Sequence, residues 1–246
     1  MKIDFNCDLG EGEPMTRTRA LMRWISSANV ACGGHAGDLK TMQTCVRLAG
    51  EFRVRLGAHP GPWSRSDLGR GALRVTPEEL ELLLIHQISA LDTVARRAGM
   101  ALHHIKLHGA LYHATESNET LASRYVATVK RWWPRAKIYA LAGGSVVRVA
   151  RNNNIVVWEE AFADRGYRDD GSLMPRNEPG ALLTDPKAVR QRVSDLVAHQ
   201  QVTTVTGQAL QLRPQTICLH SDSPKALELA RTIGRLMQNE HFLKSA

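Results

Sequence analysis

The sequence predicts an α/β fold, a (β/α) barrel of about seven parallel strands, and three observations support it. Short apolar runs alternate with helical patterns about seven times, as parallel βα units require. Most of these runs end in a short polar cluster, and α/β proteins collect their chemistry in loops at strand carboxyl ends. The clusters follow strands from the first to the last. An open doubly wound sheet would gather only the loops near its switch point, whereas a closed barrel aims every loop at one mouth.

Taken in order, the strand-like runs cover residues 2–6, 28–32, 54–58, 102–107, 137–141, 155–159 and 216–219. The clearest helix runs from 77 to about 98, where Leu80, Leu84, Ile88, Leu91, Ala95 and Ala98 build one apolar face. Thr76 can cap this helix, Pro77 suits its first position, and Glu79 completes a capping box. Asp185-Pro186 and Ser223-Pro224 repeat the cap-then-proline signal. Further helices are predicted at 39–52, 121–133, 145–151, 186–199 and 224–238. The segments 60–74 and 164–184 are rich in Gly and Pro, and each starts at a polar cluster. Long loops of this kind within a compact domain are lids or binding loops.

The 246 residues suit one domain, 1–246, with a single large core. No linker or change of composition divides the chain, and 43% hydrophobic with 23% charged residues is ordinary for a soluble globular protein. No apolar run approaches the ~20 residues that cross a bilayer. Lys2-Ile3-Asp4-Phe5 opens the chain without a signal-peptide hydrophobic region. A cytoplasmic location is therefore expected, with no membrane partner. Cys7, Cys32, Cys45 and Cys218 form no CxxC pair and read as reduced thiols. The net charge of +8 is spread over helix-like segments, with no dense Lys/Arg run and only 5% aromatics. A solvated basic surface explains this better than a nucleic-acid interface.

Six polar clusters carry the candidate chemistry. Asp8 and Glu11 lie in Asp8-Leu9-Gly10-Glu11-Gly12, where a carboxylate just past a strand can act as a base, bind a divalent ion or hold a histidine. An ordinary turn built from Asp and Gly is the plainer alternative. His35 and His59 are each flanked by small residues, in Gly33-Gly34-His35-Ala36-Gly37 and Gly57-Ala58-His59-Pro60-Gly61. With Asp8 they could ligate a divalent metal such as Zn²⁺ or Mn²⁺. Each taken alone is as readily a hydrogen-bonded structural histidine.

Lys106, His108 and Tyr112 form the densest set. Lys106 and His108 alternate and share one face, where a lysine can hold an anion and a histidine can move protons. Asp164 and Arg165 open the second long loop. Arg165 could make a two-pronged bond to a substrate carboxylate, or simply pair with Asp164. His220 and Asp222 close the last strand. The GxxxxGK[ST], GxGxxG and GxSxG patterns are absent, so no standard phosphate loop or serine nucleophile elbow is expected.

These clusters resemble the LamB/YcsF family, whose bacterial members are the A subunit of an ATP-dependent 5-oxoprolinase. The resemblance rests on Asn6-Cys7-Asp8-Leu9-Gly10-Glu11-Gly12, Ser27-Ala28-Asn29-Val30-Ala31-Cys32-Gly33 with His35-Ala36-Gly37-Asp38, and Gly57-Ala58-His59-Pro60-Gly61. It continues through His108-Gly109-Ala110-Leu111-Tyr112, Phe162-Ala163-Asp164-Arg165 with Tyr167, and the segment holding His220, Asp222 and Pro224. The family pattern has Phe, Pro and Gly where this chain has Gly34, Leu107 and Ser221.

The resemblance implies a glycoside hydrolase/deacetylase-like (β/α) barrel and hydrolysis of the 5-oxoproline lactam to glutamate, coupled to ATP hydrolysis with Mg²⁺. It also implies separate B and C subunits; self-association of the chain stays open. On that reading Asp8, Lys106, His108 and Asp164 are the catalytic candidates. Glu11, His35, Tyr112, Arg165 and His220 are the substrate-binding candidates. The alternatives are a metal-dependent deacetylase or carbohydrate hydrolase using Asp8, His35 and His59, and a binding subunit without catalysis.

Overall fold

Seven parallel strands close into a barrel in this computed structural model, which describes residues 3–223 and 225–243. They are β1 (Asp4–Leu9), β2 (Ser27–Ala31), β3 (Arg55–His59), β4 (His104–Lys106), β5 (Lys137–Leu141), β6 (Val157–Phe162) and β9 (Thr216–His220). The order around the barrel follows the chain, and β9 closes it by pairing with both β6 and β1. The register sets Asp8 beside His220 across that closure. Two further strands, β7 (Gln201–Thr203) and β8 (Ala209–Gln211), form an antiparallel hairpin outside the barrel.

Eight helices surround it among the described residues: α1 (Met15–Met22), α2 (Leu39–Phe52), α3 (Pro77–Arg97), α4 (Gly109–Ser117), α5 (Glu119–Trp132), α6 (Ser145–Asn152), α7 (Pro186–His199) and α8 (Ala226–Leu243). None is long and apolar enough to cross a membrane.

Alternation along the strands explains why helices cover the outside while the inside carries polar groups. In β1, Phe5, Cys7 and Leu9 join the apolar layer under the helices, while Asp4, Asn6 and Asp8 point into the barrel. Ile105 and Lys106 in β4, and Ile217 and Cys218 in β9, divide in the same way. The interior is therefore a polar column, and every group in it must find a partner. Gly57 makes room for one of them: a Cβ there would stand 2.1 Å from His104 Nε2, so any side chain would expel that ring from the barrel.

The helix signals in the sequence correspond to visible contacts. At α3 the Thr76 side chain accepts from Glu79 N at 3.2 Å, and the Glu79 carboxylate accepts from Thr76 N at 2.8 Å. Its face of Leu80, Leu84, Ile88, Leu91 and Ala95 is fully buried, and each large side chain contributes roughly 1.5–3 kcal/mol. Asp185 caps α7, Asp38 caps α2 and Asn118 caps α5.

Several elements differ from the sequence expectation. β4 is three residues long, shorter than 102–107: Leu102 and His103 precede it at the amino end, and Leu107 already belongs to the loop that lines the mouth. β6 begins two residues later than expected, at Val157. The helices α1 and α4 and the β7–β8 hairpin have no counterpart in that expectation. The expected strand start at Lys2 and the Pro224 helix signal lie outside the described residues.

Two long loops cross the carboxyl end of the barrel, one between β3 and α3, the other between β6 and α7. The second is not structureless: antiparallel bridges join Arg165 to Leu182 and Tyr167 to Leu173.

Candidate active site

At the barrel's carboxyl mouth lies a cavity of about 520 Å³. Asp8, His59, Lys106, His108, Tyr112, Phe162 and His220 line it, with Arg70, Arg165 and Arg176 from the two long loops. Side chains far apart in sequence thus meet in one place.

Its floor is an ion cluster. The Lys106 ammonium sits 2.8 Å from Asp8 Oδ1, 3.1 Å from Glu160 Oε1 and 3.0 Å from Cys218 Sγ, all buried. Asp8 Oδ1 also accepts from Asn29 Nδ2 at 2.7 Å. Burial alone would raise the Asp8 carboxyl, but His59 and Lys106 outweigh it and hold Asp8 well below the usual carboxylate range. Burial would likewise lower Lys106, yet Asp8, Cys218 and Glu160 keep it firmly protonated. Glu160 goes the other way: its burial dominates and raises it, despite Lys106. Tyr112 donates to Glu160 Oε2 at 3.1 Å.

Beside this floor stands a histidine wall. Glu11 Oε1 lies 2.9 Å from His35 Nε2, 2.9 Å from His108 Nδ1 and 3.4 Å from His59 Nε2. The His35 and His108 rings stack at 3.6 Å, and His59 stands at 90° to both. Burial drives His35 down to about 4 and also lowers His108, whereas Asp8 and Glu11 overcome burial and raise His59. A side chain at Gly34 would strike the Gly61 carbonyl at 2.6 Å and Gln87, whose amide bonds both the N–H and the carbonyl of Gly61. Gln87 thereby pins the loop that carries His59 and lets the His35 loop pack closely against it only because residue 34 is glycine.

Opposite that wall, Asp164 and His220 form a dyad. His220 Nδ1 donates to the Asp164 carboxylate at 3.0 Å, and the His220 backbone N–H donates to it at 3.2 Å. Burial opposes the charge on Asp164, but His220 outweighs it and lowers the carboxyl. With Nδ1 so fixed, Nε2 turns toward Asp8, 3.8 Å away, and the cavity.

The sequence reading grouped Asp8 with His35 and His59. The structure keeps Asp8 beside His59, 3.5 Å from its Nε2, and pairs it with Lys106 as well, while Glu11 stands among all three of His35, His59 and His108. Arg165 lines the cavity, but its guanidinium bonds the carbonyls of Met174 and Ala181 and ties down its own loop. The guanidiniums at the cavity mouth are those of Arg70 and Arg176, both on Asp222 Oδ2 at 2.7 and 3.0 Å. Arg70 does not stand out in the sequence; Glu160 opens the polar cluster that ends in Asp164-Arg165, Arg176 fits the family pattern, and Asn6 and Asn29 lie in its motifs, all without an assigned role. A period-two signal exists for the interior groups: Asp4, Asn6 and Asp8 alternate along one strand.

The LamB/YcsF family model matches residues 3–245. The chain belongs to the LamB/YcsF family. Within solved structures, this LamB/YcsF chain is similar to a lactam utilization protein from Thermus thermophilus, with 34% identity and a TM-score of 0.90 over 98% of each chain. A putative cellobiose-phosphate cleavage protein from Enterococcus faecalis V583 matches at 8% identity and a TM-score of 0.52, over 98% of this chain and 92% of its own. A GH113 β-1,4-mannanase matches at 12% identity and a TM-score of 0.52, over 97% and 99%. These last two share the barrel fold alone.

Proposed function

We propose that this LamB/YcsF chain opens the lactam ring of 5-oxoproline to give glutamate, as the A-type subunit of an ATP-dependent hydrolase with B- and C-type partners. The observation that carries the reading is the buried Lys106–Asp8 pair at the floor of a histidine-lined cavity. It stands in a chain that is 34% identical to a lactam utilization protein.

Amide resonance makes water attack on a lactam slow, and phosphorylation of its oxygen by ATP with Mg²⁺ makes the ring carbon electrophilic. Water then adds to that carbon and loses a proton to Asp8, which the site keeps ionised. The ring C–N bond breaks as His220, steadied by Asp164, delivers a proton to the nitrogen. A second water hydrolyses the resulting acyl phosphate to the free side-chain carboxylate and inorganic phosphate. Lys106 stabilises the developing oxyanion. Tyr112 keeps Glu160 in place. Arg70 and Arg176 take the ring carboxylate of the substrate, exchanging Asp222 for it. The absence of a standard phosphate loop fits ATP being held by a partner subunit.

The test is reconstitution. Glutamate should form when the chain, B- and C-type partners, ATP, Mg²⁺ and 5-oxoproline are all present, and hardly at all without the partners. Tight 5-oxoproline binding without turnover in the complete mixture would instead point to a binding subunit. The cluster of Glu11, His35, His59 and His108 favours a second reading, a metal-dependent deacetylase. Release of acetate from an N-acetylated sugar, without ATP, would establish that reading in place of the first.

A further inference from the structure

We infer that the mouth holds one divalent transition-metal ion of the Zn²⁺ class through Glu11, His59 and His108. This inference does not depend on the lactam reading. It rests on where hydrogens must be. His59 Nδ1 lies 2.8 Å from the carbonyl oxygen of Lys106, which can only accept, so Nδ1 carries a hydrogen. His108 Nε2 lies 2.7 Å from the carbonyl oxygen of Leu68 and carries a hydrogen for the same reason.

In the neutral rings His59 Nε2 and His108 Nδ1 are then bare lone pairs, and they face each other at 3.0 Å. Glu11 Oε1 is a third acceptor, 3.4 Å from the first nitrogen and 2.9 Å from the second. Three buried acceptors converge from the ends of β1, β3 and β4. A single proton bridges two of them; a metal ion serves all three. Backbone carbonyls that fix the far nitrogens are the supports that orient metal-binding histidines.

The dimensions agree. Zinc with bonds of about 2.0–2.1 Å separates tetrahedral ligands by roughly 3.3 Å, and the three separations here are 2.9, 3.0 and 3.4 Å. The His59 and His108 rings are perpendicular, so their in-plane lone pairs can meet at one point. His35 lies parallel to His108 at 3.6 Å, so its lone pairs run alongside instead of converging. It packs against His108 and hydrogen-bonds Glu11. The neighbouring set of Asp8, Cys218 and His220 needs no metal, because the Lys106 ammonium already supplies the cation there. Two nitrogens and a carboxylate select a borderline transition ion over Mg²⁺ or Ca²⁺, which prefer oxygen.

The full-length chain, stripped with chelator, is titrated calorimetrically with Zn²⁺, Co²⁺ and Mg²⁺. One Zn²⁺ or Co²⁺ per chain and no comparable Mg²⁺ binding are expected. The Co²⁺ complex should show visible bands of a nitrogen–oxygen site without a thiolate charge-transfer band. Glu11→Gln should weaken binding by more than the roughly 10–100-fold typical of an outer-shell loss, and Cys218→Ser should leave affinity unchanged. Because buried-site variants can misfold, circular dichroism accompanies each, and the wild-type stoichiometry decides on its own. No saturable Zn²⁺ or Co²⁺ binding, a preference for Mg²⁺, a thiolate band, or undiminished affinity in a folded Glu11→Gln protein would each overturn the assignment.

Discussion

The two ends of the barrel interior are both polar and both buried, yet they are organised on opposite principles. At the amino end, Asp4 accepts from Ser27 at 2.8 Å, Arg55 at 3.0 Å, Tyr139 at 3.2 Å and Thr216 at 2.7 Å. His104 stacks on Tyr139 at 3.9 Å, and Trp158 stacks on the same tyrosine at 5.4 Å. Both oxygens of Asp4 meet donors there, and the rings pack against one another. At the carboxyl end, one Glu11 carboxylate meets three histidine rings, two carboxylates share one ammonium, and about 520 Å³ of space is left over them. A satisfied network holds a fold together; an unbalanced one facing a cavity is built to receive something.

That contrast can be broken by exchanging the damage. His220→Ala should lower kcat per folded molecule of the reconstituted complex by roughly 10²–10⁴-fold, as loss of a positioned acid does, well beyond the stability lost when the buried Asp164 carboxylate is left without its histidine. Asp4→Ala should do the reverse: stability falls by about 3–5 kcal/mol because several buried donors lose their acceptor, while kcat per folded molecule holds. Parallel kinetics and urea titrations check both. A stable but inactive Asp4→Ala protein would erase the distinction between the two ends.

A pH effect sharpens the comparison. Burial holds His35 at about 4 in the folded protein, against about 6.5 in the unfolded chain. Between these values the unfolded state binds more protons. The stability contributed by neutral His35 is therefore present above about pH 6.5 and lost as pH falls toward 4, by on the order of 3 kcal/mol. His35→Asn should flatten that part of the stability curve, measured by denaturant melts across the range. The smallest effect is expected at the rim. Arg176→Ala should raise KM for 5-oxoproline about 10–100-fold, as removal of a charge-assisted hydrogen bond does, and leave kcat nearly unchanged.

The barrel was legible because its evidence is local: a strand-like run, a polar cluster and a helix signal recur along the chain. The Thr76–Glu79 box and the Asp185 cap are written within four residues each and hold in the structure. Helix α1 escaped because Met15–Met22 mixes Thr and Arg through a weak apolar pattern, and α4 because its nine residues begin at a glycine. The site was legible only as a set of parts. Which carboxylate joins which histidine depends on strand register and loop path, and no spacing in the sequence encodes that choice. Asp8 meets Asn29 because the register of β1 and β2 sets them side by side. Arg70 and Arg176 meet Asp222 because two long loops fold toward each other over the mouth.

The most direct measurement is a histidine-resolved NMR titration of the isotopically labelled chain with 5-oxoproline. If the carboxyl mouth is the reaction site, His59, His108 and His220 shift together and saturate, while His103 and His104 at the far end stay still. Saturable shifts at His103 and His104 with none at the mouth, or no shift at all, would contradict the account.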